Sequence, residues 1–371
     1  MTDVARDTCL RLLDHAGVLL EGDDPSTMRV HDERLWERVV RHGTLGLGEA
    51  YMDGWWDCDA LDALFTRLVA SHAEESVQPN AALIAVVARG WLTNPQTIRR
   101  ARRNARDHYD IGNDLYEHML DKRMVYSCGY WADADHLDAA QEAKLDLVCR
   151  KLQLEPGMRL LDIGCGWGGL AQFAAERYGA SVLGISPAVN QVTLARQRCA
   201  DLPVRIEQQD YREVQGSFDR IVSIGMMEHV GPRHLGQFFK VCDRLLRAGG
   251  IMLHHTIGSL QSTNTLDPWF DRYIFPGGRL PSLRQITGAV EDAWVVEDVH
   301  NFGPDYDRTL MAWLANVDAA WAQLPAYDDR FRRMWRYYLS SCAGGFRAHD
   351  LQLWQIVLRR PGVAPRFHAP R

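Results

Sequence analysis

The stretch MVYSCGYW, residues 124–131, sets one thiol, Cys128, among Tyr126, Tyr130 and Trp131. A thiol in that company can be a nucleophile, a metal ligand, half of a disulfide, or a buried wall. Eight cysteines stand at 9, 58, 128, 149, 165, 199, 242 and 342, with no C-x-x-C pair and no His–Cys cluster at zinc-ligand spacing. In a reducing compartment they are free thiols. The metal and disulfide readings fall away; nucleophile and plain buried residue both stay open. A second group is the glycine-rich run DIGCGWGG, residues 162–169. Glycines there let the backbone turn tightly and let a ligand approach without a Cβ in the way.

The elements around these residues define the fold class. MRLLDI (158–163) has the pattern of a buried strand and leads into the glycines, and LAQFAAERY (170–178) then takes a helical period. SVLGIS (181–186), VRIEQQ (204–209) and FDRIVSI (218–224) are further strands, with a helix through QVTLARQRC (191–199). RHLGQFFKVCDRLL (233–246) predicts a helix ended by AGG, before a strand over IMLHHTI (251–257). Strands alternating with helices imply an α/β fold whose largely parallel sheet is covered on both faces. Residues 1 to about 72 read as short helices with turns, and Pro79 and Pro95 mark a connecting segment.

Gly164, Gly166 and Gly169 satisfy dinucleotide spacing, so the glycines alone are a weak signal. A dinucleotide site wants an acid roughly 20 residues on to hold the ribose, and SVLGISPAVNQ contains none. Gly164, Gly166 and Gly168 after Asp162 form instead the pattern of S-adenosylmethionine (SAM) methyltransferases. Asp210 in QQDYRE closes a strand at a place suited to the adenine amine. GMMEHVG (225–231) follows the next strand, where methyl donor and acceptor should meet.

Size and charge bound the rest. At 371 residues the chain is long enough for two domains, and 46% hydrophobic with 24% charged is ordinary for a globular protein. A formal charge of −6 does not suggest a nucleic-acid binder. The N-terminus carries early acids and no long apolar block, and AALIAVVA (81–88) is too short to span a bilayer, so a cytoplasmic location is expected. Arg99, Arg100, Arg102, Arg103 and Arg106 crowd one segment. On a helix, four of them share a face fit for anionic lipid or for a solvated surface.

In these motifs the chain resembles the cyclopropane fatty acid synthases, including the mycolic acid cyclopropane synthases. The resemblance runs from about residue 40 to 360 through GLGEAYMDGWW, HYDIGNDLY, YSCGYW, LLDIGCGWGG, EHVG, HTIG, YIFPGG, NFGPDYDRTLMAW and GGFRAHDLQLWQ. It implies a Rossmann-like class I SAM-dependent methyltransferase sheet with a small, mostly helical N-terminal lipid-binding domain. The expected boundaries are 1–85 for that domain, 86–100 for a linker and 101–371 for the catalytic domain. The implied reaction adds a methylene across a cis double bond of a membrane phospholipid. Such an enzyme would contact the inner leaflet of the cytoplasmic membrane peripherally, and family members suggest a homodimer.

Carried over by motif, Tyr126 and Ser127 contact SAM. Leu161, Asp162, Ile163, Gly164, Cys165, Gly166, Trp167 and Gly168 hold its methionine and ribose, Ser186 and Gln191 replace the usual ribose acid, and Asp210 and Tyr211 flank adenine. The resemblance also implies a bound bicarbonate as base, on Cys128, Glu228, His255, Tyr306 and the backbone of Ile257, with no metal. An alkene has no proton to lose before attack, so the base is needed only after methyl transfer leaves a carbocation. Aromatic faces stabilise such a cation without quenching it; Tyr126, Tyr130, Trp131, Tyr273, Phe275, Tyr306 and Trp313 are candidates, each otherwise ordinary core. Cys128 then becomes a wall of the anion site and not an attacking thiolate. Strand alternation puts His254 and His255 on opposite faces, so one of them reaches the site. Branching or hydroxylation of the same cation, a small soluble acceptor, and a catalytically inactive lipid-binding scaffold are the competing readings.

Overall fold

The computed structural model describes residues 2–72, 112–362 and 365–371. The arginine cluster at 99–106, the apolar segment at 81–88 and the expected linker at 86–100 lie outside them. The chain forms two compact units, and neither is a single stretch of sequence. One combines Met1–Thr93, Asn264–Pro276 and Tyr306–Leu351; the other combines Asn94–Thr263, Gly277–Asp305 and Gln352–Arg371. The first therefore includes 264–276 and 306–351, which the linear boundaries assign to the catalytic part.

Among the described residues, the regular elements of that first unit are helices and a short antiparallel pair, β1 (Arg29–Val30) and β2 (Trp56–Asp57). Its long helix Asp329–Arg347 starts at Asp328, whose carboxylate accepts from the Phe331 N–H at 2.7 Å. Gly344 lets it approach the helix Leu61–Ala70: a Cβ there would stand 2.6 Å from Phe65 Cβ. Trp269 and Trp335 are fully buried here. Trp56 is too, with its indole N–H donating to the Leu47 carbonyl, while Trp55 lies beneath Arg34 and Arg38. Tyr306 belongs to this unit, its ring 4.6 Å from Phe346 and edge-on to Trp313.

The second unit holds the sheet. Its strands are β3 (Arg159–Ile163), β4 (Ser181–Ser186), β5 (Val204–Gln208), β6 (Phe218–Ile224), β7 (Leu246–Ser259), β8 (Val295–Asn301) and β9 (Leu351–Arg359). They lie in the order β5-β4-β3-β6-β7-β9-β8, parallel from β5 through β7, with β8 and β9 antiparallel. The α/β expectation holds. β7 begins earlier than the expected 251: Leu246 already pairs with Phe218, and a register shift between Phe218 and Arg220 absorbs the two glycines at 249 and 250. The turn residues that the sequence suggests as a helix end are a bulge in a strand.

Each face of the sheet carries an apolar cluster. Leu161, Ile221, Met252 and Ile356 join one; Leu160, Val222, Leu253 and Val357 join the other. The second face is covered by the helix Leu137–Lys151, whose Leu145 and Val148 pack there. After β3 the chain turns one way to β4, and β6 lies on the other side, so the carboxyl ends of β3 and β6 flank the switch point where open α/β sheets bind ligands. Among the described residues no helix is long and apolar enough to cross a membrane.

Candidate active site

The glycine turn leaves β3 at that switch point. Gly164, Gly166 and Gly168 have φ of 88°, 54° and 82°, which side chains with a Cβ rarely adopt. The N–H groups of Gly164 and Cys165 both donate to the Ile185 carbonyl, at 2.9 and 3.0 Å, which ties the turn to β4. Trp167 is fixed from below: its indole donates to Asn113 Oδ1 at 3.1 Å, and its ring lies 4.8 Å from Tyr116. Tyr116 in turn meets Tyr126 edge-on. This links the NDLY part of one motif to the glycine turn of another.

Above the turn opens a cleft. Tyr126, Ser127, Asp162, Ile163, Gly164, Cys165, Gly166, Trp167, Ser186, Gln191, Asp210 and Tyr211 line it, all from the expected SAM set. Leu161 and Gly168 do not line it. Leu161 packs in the apolar core that also holds Ile163, one pleat deeper along β3, and Gly168 turns toward Ala195 and Cys199. Ser186 donates to Gln191 Oε1 at 3.1 Å. Asp210, expected to meet an adenine amine, also accepts from the Arg212 guanidinium through both oxygens at 2.7 Å.

Sequence reasoning missed the most heavily buried cation here. Lys144, fully buried on the helix Leu137–Lys151, lines the same cleft and donates to Ser127 Oγ at 2.8 Å. One turn earlier Gln141 donates to the Ser127 carbonyl at 2.7 Å, so two residues on one helix face clamp the segment that carries Cys128. Burial pulls the Lys144 ammonium down to about 8, against the pull of Asp121, Cys128 and Asp162. Burial pushes the Asp162 carboxyl up to about 7, with Lys144 opposing, and its Oδ2 has no hydrogen-bond partner.

The expected anion set divides. Cys128 is wholly buried, with its thiol donating to the Gly129 carbonyl. Glu228 sits between Met226 and His229, both of which line the cleft. Its Oε1 accepts from the Ile257 N–H at 2.7 Å, so the donor expected to serve the anion directly holds the carboxylate instead. Oε2 is buried without a hydrogen-bond partner. Burial pushes the Glu228 carboxyl up to about 7, against its backbone N–H contacts and the Thr256 hydroxyl.

The two histidines part as alternation requires. His254 packs between Phe238 and Phe239 in one core, while His255 lies against Phe302 on the other face. Phe302 also touches Tyr130, which connects the Cys128 segment to His255 through rings. His255 Nε2 is buried without a partner, and its pKa falls well below the ordinary imidazole value through burial and the nearby Lys144, His254, Lys151 and His300. Tyr306 is in the helical unit as described above. No group of described residues forms a metal site, and all eight cysteines are free.

This geometry has close relatives. The family model for mycolic acid cyclopropane synthetase matches residues 96–356. The cyclopropane-fatty-acyl-phospholipid synthase of Escherichia coli K12 is 50% identical over 350 residues, covering 94% of this chain and 92% of the relative. The tuberculostearic acid methyltransferase UfaA1 of Mycobacterium tuberculosis is 34% identical, over 95% of this chain and 88% of its own length. The crystal structure of mycolic acid cyclopropane synthase CmaA1 complexed with SAH and CTAB superposes with a TM-score of 0.65 at 34% identity, covering 69% of this chain and 97% of that one. The chain belongs to the mycolic acid cyclopropane synthetase family and is an enzyme of the SAM-dependent methyltransferase type.

Proposed function

We propose that this enzyme closes a cyclopropane ring across a cis double bond in an acyl chain of a membrane phospholipid, with SAM as carbon donor and bicarbonate as bound base. One observation carries the reading: Glu228 Oε2 and His255 Nε2 are both buried and unpartnered at the carboxyl ends of β6 and β7. Burying such groups unpaired is costly, on the order of 1–3 kcal/mol each. The pair matches a small anion bearing one hydroxyl: a neutral imidazole N–H can donate to an oxygen while a carboxylate accepts the O–H. Burial, helped by the nearby Lys144 and Lys151 ammoniums, keeps His255 neutral, and those two cations make the surroundings favourable to an anion.

In this reading the side chains act in sequence. The glycine turn, Ser127 and Gln191 hold SAM, which supplies an electrophilic methyl group. The Tyr126 ring, at the cleft wall, shields the acyl cation from water. Ile257 holds Glu228 by one oxygen and so aims the other. Glu228 and His255 would hold the bicarbonate, which would supply the base for a proton of the transferred methyl group as the ring closes. Cys128, its thiol turned to the Gly129 carbonyl, is a wall of this site. Contact with the inner leaflet of the cytoplasmic membrane is peripheral, and a homodimer belongs to the same reading.

The likeness to a cyclopropane-fatty-acyl-phospholipid synthase at 50% identity favours ring closure over the plain methyl transfer named for UfaA1 at 34%. Incubation with vesicles of an unsaturated phospholipid and SAM, followed by mass spectrometry, tests it. A gain of one CH2 with loss of the alkene is expected. The same gain with the alkene retained favours methyl transfer without closure, and no gain despite SAM binding favours the scaffold reading.

A further inference from the structure

The identity of His255 as a site residue does not say which ring nitrogen works, and a residue on the neighbouring strand decides it. β9 lies beside β7 in the sheet. Alternation along β9 sends Trp354 and Ile356 into one core and Val357 into the other, with Gln355 on the Val357 side. Gln355 is wholly buried, and its Nε2 stands 3.3 Å from His255 Nδ1. No other partner serves the Gln355 amide oxygen, and none serves His255 Nε2.

We infer that Gln355 is a positioning residue that donates to His255 Nδ1 and thereby fixes the imidazole proton on Nε2, the nitrogen that serves the anion. A neutral imidazole has one N–H, so a hydrogen bond accepted at Nδ1 leaves Nε2 as the donor. The groups around the pair are consistent with this state. Directly opposite Gln355 in the β8–β9 ladder stands His300, whose Nδ1 lies 3.1 Å from Lys151 Nζ. Lys151 is also paired with Asp298 at 3.2 Å, and Asp298 is held by Arg371, so this acid is engaged away from the histidine. Burial disfavours a second proton on His255, and the positive charge of Lys144 and Lys151 adds to it. The opposite tautomer would face the anion with a lone pair at Nε2 and would set two donors, the Nδ1–H and the Gln355 amide N–H, against each other.

The inference rests on the bicarbonate reading for its consequence, but not for the tautomer itself. Nitrogen NMR of histidine-labelled wild-type protein, with the His255 signal assigned by its loss in His255→Asn, reads the tautomer without any turnover. An Nε2–H signature is expected; an Nδ1–H signature at His255 overturns the inference. Two variants add a functional arm. Gln355→Glu should move the proton to Nδ1, because a carboxylate can only accept, and Gln355→Leu should leave the tautomer mixed. Both should lower kcat by about 10- to 100-fold, the usual cost of removing an outer partner of a working histidine, with KM for SAM unchanged. Turnover within about twofold of wild type in both would overturn the inference, since that is below any such cost. If wild-type turnover in carbon-dioxide-free buffer ignores added bicarbonate, the anion reading fails, and the NMR result still decides the tautomer.

Discussion

Glu228 has one oxygen tied to the Ile257 N–H and one with no partner, and its carboxyl titrates near 7 because it is buried. A folded-state pKa above the unfolded one means ionisation works against folding. The penalty is absent below about 4.5, grows as pH rises toward 7, and is complete above it, on the order of 3 kcal/mol. Glu228→Gln keeps the acceptor for Ile257 and removes the charge, so the ligand-free variant should melt higher than wild type, with a wider gap at about pH 8 than at about pH 5.5. An equal gap at both would contradict the burial argument. In activity the same position behaves oppositely: Glu228→Ala should lower kcat by about 100-fold or more while SAM affinity, measured by calorimetry, changes little. Equal loss of both would contradict the catalytic place proposed for it. Gly168 separates from its neighbours in the turn. Its φ of 82° and its closeness to Ala195 and Cys199 make Gly168→Ala costly, by about 1–2 kcal/mol in chemical denaturation. The cleft is lined by other residues of the turn, so SAM affinity of the folded variant should survive.

The helix Leu137–Lys151 does more than cover a sheet. Gln141, Lys144 and Lys151 share its buried side with Leu145 and Val148, so a polar row runs down an otherwise apolar face. Lys144 acts through Ser127: its ammonium occupies the hydroxyl's acceptor side and leaves the O–H to turn toward the cleft. Lys144→Met should therefore weaken SAM binding by about tenfold or more, the usual worth of a charge-assisted hydrogen bond, and calorimetry with unchanged affinity would contradict this. None of that was legible in the sequence. A lysine within AQEAKLDLVCRK looks like any solvated helix residue, because its partners come from residues 121–128 and 162, remote along the chain or on the sheet below. Gln355 was hidden for the same reason. The strands over 181–186 and 218–224 and the glycine turn were legible, because there the information is local: apolar runs, period, and glycines at positive φ.

At the scale of the molecule, the chain leaves the sheet unit twice to build the helical one, at Asn264–Pro276 and Tyr306–Leu351. A linear reading could find a helical N-terminal region but not those returns, since no composition shift marks them. It could find the motifs, because each is contiguous, and it could order them along a parallel sheet. It could not see that the Ile257 N–H, expected to serve an anion, donates to Glu228, a contact set by the turn after β6 meeting the end of β7. The central claim is that the carbon taken from SAM loses one of its own protons to close a ring. SAM carrying a fully deuterated methyl group, given to the enzyme with unsaturated phospholipid vesicles, tests this most directly by mass spectrometry of the acyl chains. The expected product has lost its alkene and keeps two of the three deuteriums in a cyclopropane; a product that keeps all three, with the proton lost from the acyl chain instead, would contradict the claim.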